Sequence, residues 1–216
     1  MQSDNFPKIL REILKYRRKI RILKALQKIN ISPNMKVLDI GCGPDGRSFE
    51  DFIPNTWQIT GVDIRDKVDI KHTHPNFQFQ KADASDLSNF KDLQFDLVVS
   101  IGMLEHITNM TIFNKIVNNI HRLAKQHIII VPWKYAFIEP HYGVPFFPLF
   151  PDKLKIFVIK FFNLSNHRSY LISDPYYLQD NFMWLSNKEY KKYFPNSNIF
   201  VSQTFDTIAI IKKYSP

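Results

Sequence analysis

Short runs of β-branched and aliphatic residues alternate with longer polar or amphipathic stretches through the middle of the chain. The runs fall at residues 36–40, 58–64, 77–81, 96–101 and 127–131. Each has the length of a strand, and the connections leave room for helices or irregular segments. That alternation predicts parallel strands joined by crossover helices. The clearest helix lies between the fourth and fifth runs, where Ile112, Ile116, Ile120 and Leu123 recur at helical spacing. Near the end, 188–194 reads as a helix, and 198–204 and 207–212 read as strands joined by a tight turn near Asp206. Two strands so close pair antiparallel. The expectation is a doubly wound α/β fold: a mixed sheet of seven strands, the last antiparallel, with helices on both faces.

The flanks differ from this middle. In the first thirty residues Ile9, Leu10, Ile13, Leu14, Ile22, Leu23, Leu26 and Ile29 recur at helical spacing. Among them stand Lys8, Arg11, Lys15, Arg17, Arg18, Lys19, Arg21, Lys24 and Lys28, with Glu12 the single acidic residue from 8 to 28. Asn5 and Pro7 suit the cap and first turn of a helix. A pair of helices, or one bent helix, packed on the domain with a solvated basic side is the plain reading. A patch for RNA, anionic lipid or a phosphorylated substrate is the sharper one. From Trp133 to about Leu185 the chain turns rich in proline and aromatics, with a basic helix expected around 153–162. The division is a basic N-terminal helical extension at 1–34 and a main domain at 35–213 with an insertion at about 134–185.

Composition narrows the class. The 216 residues are 44% hydrophobic, enough for a core. One cysteine excludes a disulfide framework and a multi-cysteine zinc site, and no metal is expected. The start lacks the apolar core of a signal peptide, and the longest apolar stretch, 156–162, is broken by Lys160 and too short to span a bilayer. A cytoplasmic enzyme is the default.

Three of the six glycines fall in one loop, Gly41, Gly43 and Gly46, directly after Val37-Leu38-Asp39-Ile40. Glycine concentrates where backbone takes positive φ or approaches something closely. The spacing fits a dinucleotide loop, and Asp63 lies at the distance of a ribose-binding carboxylate. A pyrophosphate fits poorly: Asp45 would repel it, and the next helix candidate carries Glu50 and Asp51 and is cut by Pro54. Asp39, Asp45, Asp63 and Asp83 gather at strand ends in a chain of net charge +9. That arrangement favours a cationic ligand. S-adenosylmethionine, with a sulfonium and an ammonium against one carboxylate, is such a ligand.

The motifs resemble class I S-adenosylmethionine-dependent methyltransferases. Val37 to Gly43, then Gly61-Val62-Asp63, Lys81-Ala82-Asp83-Ala84 and Phe95 to Ser100 follow that family's order and spacing. Leu104-Glu105-His106-Ile107 is similar to the segment after the fourth strand in the type 11 subgroup, and the fold implied is Rossmann-like. The resemblance implies S-adenosylmethionine as cofactor and a role for each matched position. The backbone at Gly41, Cys42, Gly43 and Gly46 would pass beneath the methionine part, with Asp39 supporting the ammonium. Asp63 would accept both ribose hydroxyls, with Ile64 next to it among the cofactor-binding residues; Asp83 and Ala84 would read the adenine edge, and Ser100 and Ile101 would present backbone near the ammonium. The third glycine falls one residue later than in the family's commonest loop. Cys42 reads as a small packing residue, without the partner a covalent thiol mechanism needs.

The acceptor is less legible. His106 and His141 are the candidate bases, since histidine titrates in the useful range. Glu139, His141, Tyr142 and Phe146 are the candidate substrate residues, because Phe137 to Pro151 resembles a loop of type 11 members similar to enzymes of sugars or lipid-linked glycans. Aromatics there suit a pocket for sugar faces, aromatics or acyl chains. The segment 153–162 reads as a lid helix packed on the core or, alternatively, as a helix resting on a membrane surface. A small-molecule or glycan/lipid acceptor ranks first. RNA ranks second on the basic N-terminus, and a catalytically silent methyltransferase-like binding subunit is the alternative of another class.

Overall fold

The computed structural model describes residues 8–43, 49–66, 74–139, 142–162, 164, 182–202 and 205–214. Strands β1 (Lys36–Ile40), β2 (Gln58–Asp63), β3 (Phe77–Lys81), β4 (Phe95–Ile101), β5 (Ala124–Pro132), β6 (Asn198–Val201) and β7 (Thr207–Lys212) form one sheet. Their order is β3-β2-β1-β4-β5-β7-β6. The first five are parallel, and β7 runs antiparallel between β5 and β6. This is the mixed, seven-stranded sheet expected from the alternation of runs. The strand order reverses between β1 and β4, and in open α/β sheets a ligand crevice forms outside the strand ends at that point.

Two apolar layers cover the sheet. Helix α2 (Met110–Leu123) buries Phe113, Ile116, Val117, Ile120 and Leu123, a single stripe at helical spacing. Ile112, expected on that stripe, is 40% exposed, and Phe113 takes its place. Asn109 caps the helix by accepting from the amides of Thr111 and Ile112. After α3 (Asp152–Phe161), helix α4 (Asn187–Tyr193) begins with a capping box between Ser186 and Glu189 and adds Tyr190 and Phe194 to the same core.

On the opposite face lies α1 (Lys8–Leu26), a single helix within the described residues rather than a pair. Asn5 and Pro7, the expected cap and first turn, lie outside them. Ile22, Ala25, Leu26 and, just beyond the helix, Ile29 pack with Val37, Ile59, Leu97 and Ile128. The segment read as an extension is therefore one wall of the domain's core. Its basic side is partly engaged. Arg17 and Arg21 reach Asp206 at 3.1 and 3.3 Å, and Lys28 lies 4.0 Å over the Phe200 ring.

The insertion carries a small core of its own. Phe147, Ile159 and Phe182 are buried together, with Tyr142, Val144, Phe150 and Trp184 packed around them. Its helix α3 (Asp152–Phe161) lies where a basic helix was expected.

Candidate cofactor site

The glycine loop is tied to the end of β2 by its own backbone. The amides of Gly41 and Cys42 both donate to the carbonyl of Val62, at 2.8 and 3.2 Å. Gly41 has φ +77 and Gly43 φ +83, the left-handed region that glycine enters without strain. A Cβ at Gly41 would stand 2.6 Å from Met103 Cγ, so nothing larger fits beneath the segment that follows β4. Pro44, Asp45, Gly46, Arg47 and Ser48 lie outside the described residues, and so does the third glycine of the loop.

Asp63 sits at the last position of β2 and is buried. Its Oδ2 accepts from the Gly43 amide at 2.9 Å. Its Oδ1 accepts from the Arg65 amide at 3.0 Å, and the Arg65 guanidinium grips both oxygens at 2.9 and 3.0 Å. Burial alone would raise this carboxyl's pKa. The Arg65 hydrogen bonds and charge, with the Gly43 amide, outweigh burial and hold it below the usual range. Ile64 follows with a side chain largely in solvent.

Asp39 is fully buried and paired across the sheet with Gly61 and Val99. Its carboxyl meets that of Glu50, which sits buried in a short 3₁₀ turn and accepts from the Phe49 amide at 2.8 Å. Burial raises the Glu50 pKa, with the hydrogen bond to Asp39, the Phe49 amide and the charge of Arg18 pulling the other way. Two buried carboxyls in contact repel each other when both are ionised, which favours a proton on one of them. Cys42 is buried with its Sγ 3.2 Å from the Gly43 carbonyl. Burial and the charges of Asp39, Glu50 and Asp63 push its thiol far up, so it stays protonated and inert.

The remaining matched positions line the same edge. Asp83 is exposed and accepts from the Ser85 amide at 2.8 Å, while the Ala84 carbonyl accepts from Asn119 of α2 at 2.9 Å. Ser100 is buried near the end of β4, and its Oγ has no hydrogen-bond partner among the described residues. Ile101 beside it is half-buried. Asp96 accepts from the Lys36 amide at 2.7 Å and serves the start of β1, away from this edge.

After β4 comes a 3₁₀ turn, Leu104–His106. His106 is exposed, with its ring centroid 4.7 Å from that of Phe182. Glu105 is buried, and its carbonyl accepts from the Met183 amide at 2.7 Å. Glu139 is fully buried and holds the insertion's first loop: its carboxylate accepts from the Tyr142 amide at 2.7 Å, and its carbonyl from Gly143. Tyr142 packs on Phe147, and Phe146 takes φ +52 with its ring partly in solvent. Pro140 and His141 lie outside the described residues.

Sequence reasoning passed over Glu50, Arg65 and Glu105 as site residues. Glu50 and Glu105 lie in short turns without periodicity. Arg65 follows Asp63 by two residues, the spacing at which an arginine can fold back onto a carboxylate, and that was its one available signal. Among the described residues no group of three histidine, cysteine or acidic side chains could hold a metal.

The strand-end glycine loop, the buried carboxylate at the end of β2 and the sheet order are similar to those of class I S-adenosylmethionine-dependent methyltransferases. Residues 38–131 match the family model of the type 11 methyltransferase domain. The match spans less than half of the chain, and the cofactor that such a methyltransferase domain implies is S-adenosylmethionine. A curated relative, the cyclopropane-fatty-acyl-phospholipid synthase of Escherichia coli strain K12, is 30% identical over 87 residues, covering 38% of this chain. The chain spans about a fifth of that relative's length, 21%. Among solved structures, a methyltransferase complex with the Trm112 activator of Haloferax volcanii aligns at TM-score 0.55 and 13% identity, over 95% of this chain and 93% of that one. A SAM-dependent methyltransferase of Methanosarcina mazei aligns at TM-score 0.54 and 16% identity, over 91% and 98% of the two chains. The residues present fit this cofactor: the Gly41 turn admits no side chain, and the buried Ser100 hydroxyl stands ready for a partner.

Proposed function

We propose that the chain methylates a small-molecule or sugar/lipid-linked acceptor held between the strand ends and the insertion. The observation that carries this reading is the junction of His106 and Glu105 with Phe182 and Met183. It sets an aromatic cluster against the turn that follows β4. Phe182 stacks on Trp184 at 5.5 Å, and Tyr142 and Phe147 pack beside them. Such walls suit sugar faces, aromatic rings or acyl chains. The curated relative named above is an enzyme of lipids, which agrees with the lipid-linked form of the reading.

When bound, S-adenosylmethionine supplies a methyl group already activated on a sulfonium. The chain's task is to align and to exclude water. Asp63 would accept both ribose hydroxyls through its carboxylate, with the Gly43 amide fixing one oxygen. Asp83 and the Ala84 backbone would meet the adenine edge, with Ile64 against its face. The buried Asp39–Glu50 pair would set the charge beneath the methionine end. Where the acceptor is a hydroxyl or a protonated amine, His106 is the exposed imidazole at hand.

Thermal melts with S-adenosylhomocysteine, S-adenosylmethionine and NAD in parallel test the cofactor half. A ligand at a hundred times its dissociation constant stabilises by about 2.7 kcal/mol. The adenosyl ligands are expected to raise the midpoint, and Asp63→Ala to remove that rise. Stabilisation by NAD alone overturns the reading. RNA remains the second reading on the basic side of α1, although Arg17, Arg21 and Lys28 are partly engaged within the fold. Methylation of RNA that falls steeply with salt would promote it.

A further inference from the structure

We infer that the outer face of α3 docks onto an anionic lipid bilayer. The helix has ten residues, and Ile159 is its buried one. At about 100° per residue, Leu154, Phe157 and Phe161 point to the side opposite Ile159. Phe157 is 57% exposed and Phe161 69%, and Leu154 and Phe162 are exposed beside them. The rings are already assembled into a surface: Phe157 stacks on Phe161 at 5.5 Å, and Phe162 meets Phe161 edge-on at 5.0 Å. A lid helix packed on the core would bury these residues. This one turns them outward.

Charge identifies what covers them. Lys153 and Lys160, both exposed, flank the aromatic ridge on one side. The helix's acidic residue, Asp152, is neutralised by Lys155 at 3.2 Å, and Lys155 also lies 5.2 Å over the Trp184 ring. The outer face is thus apolar at its centre, cationic at its flank and free of acid among the described residues. A convex ridge of this kind matches an interfacial helix, which sinks its apolar face to the headgroup boundary while lysines meet lipid phosphate. The chain's net charge of +9 adds attraction to an anionic surface. Such docking would set the insertion's aromatic cluster beside the bilayer, within reach of a lipid-anchored acceptor. The inference goes beyond the acceptor reading and does not depend on it, because it concerns a surface read without cofactor or turnover.

The test is co-sedimentation of the full chain with vesicles of phosphatidylcholine and with vesicles also containing phosphatidylglycerol, with neither cofactor nor acceptor added. Binding is expected to the anionic vesicles only. The double variant Phe157→Ser/Phe161→Ser is expected to weaken it by at least about tenfold. Lys153→Ala and Lys160→Ala should each weaken it by about fivefold. These side chains are exposed, so the melting midpoint should hold and certify the fold. Binding that survives the double variant moves the contact to another surface, such as α1, and overturns the proposal. Equal binding to neutral vesicles, or none to either, does the same. So does a concentration-dependent dimer that the double variant dissolves, which would make the face an interface between copies. A methyltransferase reading that fails while vesicle binding persists leaves this inference standing.

Discussion

The glycine-loop edge and the insertion solve opposite problems. At the edge, backbone and side chains are tied to one another: Asp63 is fixed by Gly43 and Arg65, and Gly41 admits no Cβ beneath Met103. Every strand that contributes there also belongs to the central sheet. Among the described residues, the insertion instead gathers a small core around Phe147, Ile159 and Phe182 and leaves most of α3 exposed. The difference teaches where rigidity is demanded. A shared cofactor needs atoms in fixed places, whereas the acceptor side can vary around a small core of its own.

The sharpest way to break that comparison is Phe147→Ala. Phe147 is fully buried, with Tyr142, Phe150 and Trp184 rings at 4.7, 6.0 and 6.3 Å. Truncating a buried phenylalanine costs about 3–5 kcal/mol. If the insertion is a separate unit, that loss falls within it. Methyl transfer to the acceptor should collapse while S-adenosylhomocysteine still raises the melting midpoint. Loss of the ligand-induced shift as well would show that the two regions fold as one cooperative unit.

The same contrast explains what could be read from the chain. The sheet was legible because buried strands need uninterrupted apolar runs, and the five parallel strands fall within a few residues of those runs. The strand-end position of Asp63 and the left-handed turns at Gly41 and Gly43 were legible because backbone conformation and charge restrict the residue at each position. Ile112 misled, since an i+4 series continues through it while the buried stripe begins at Phe113. Arg65 closing on Asp63, and Glu50 meeting Asp39, are side-chain events between turns that leave no periodic trace. The outward face of α3 was ambiguous for a similar reason. An apolar stripe shows that a face is greasy without showing which way it turns.

Glu50→Gln sharpens the account of the cofactor edge. Burial raises the Glu50 pKa above its ordinary value of 4.5, so the folded chain holds a proton that the unfolded chain gives up. This group's contribution is fully present below pH 4.5 and is lost as pH rises through the folded-state pKa. The slope is at most about 1.4 kcal/mol per pH unit. A glutamine cannot ionise and can donate to Asp39 in the proton's place. Denaturant unfolding from about pH 5 to about pH 8 should therefore show the wild type losing stability relative to the variant. A constant difference across that range would mean that both carboxyls are ionised and balanced by Arg18.

The smallest expected effect belongs to Arg65→Ala, and it asks how finished the ribose site is before cofactor arrives. The guanidinium occupies both oxygens of Asp63, the same oxygens the ribose hydroxyls would use. Its side chain is 62% exposed, so the ion pair is loosely held against solvent, and exposed pairs contribute about 0–1 kcal/mol. A ribose on Asp63 would require Arg65 to swing aside at that modest cost. Removing it should leave the melting midpoint nearly unchanged and tighten S-adenosylhomocysteine binding by up to about fivefold in calorimetry. Weaker binding would reverse the role, making Arg65 a residue that holds the ligand rather than one that holds its place.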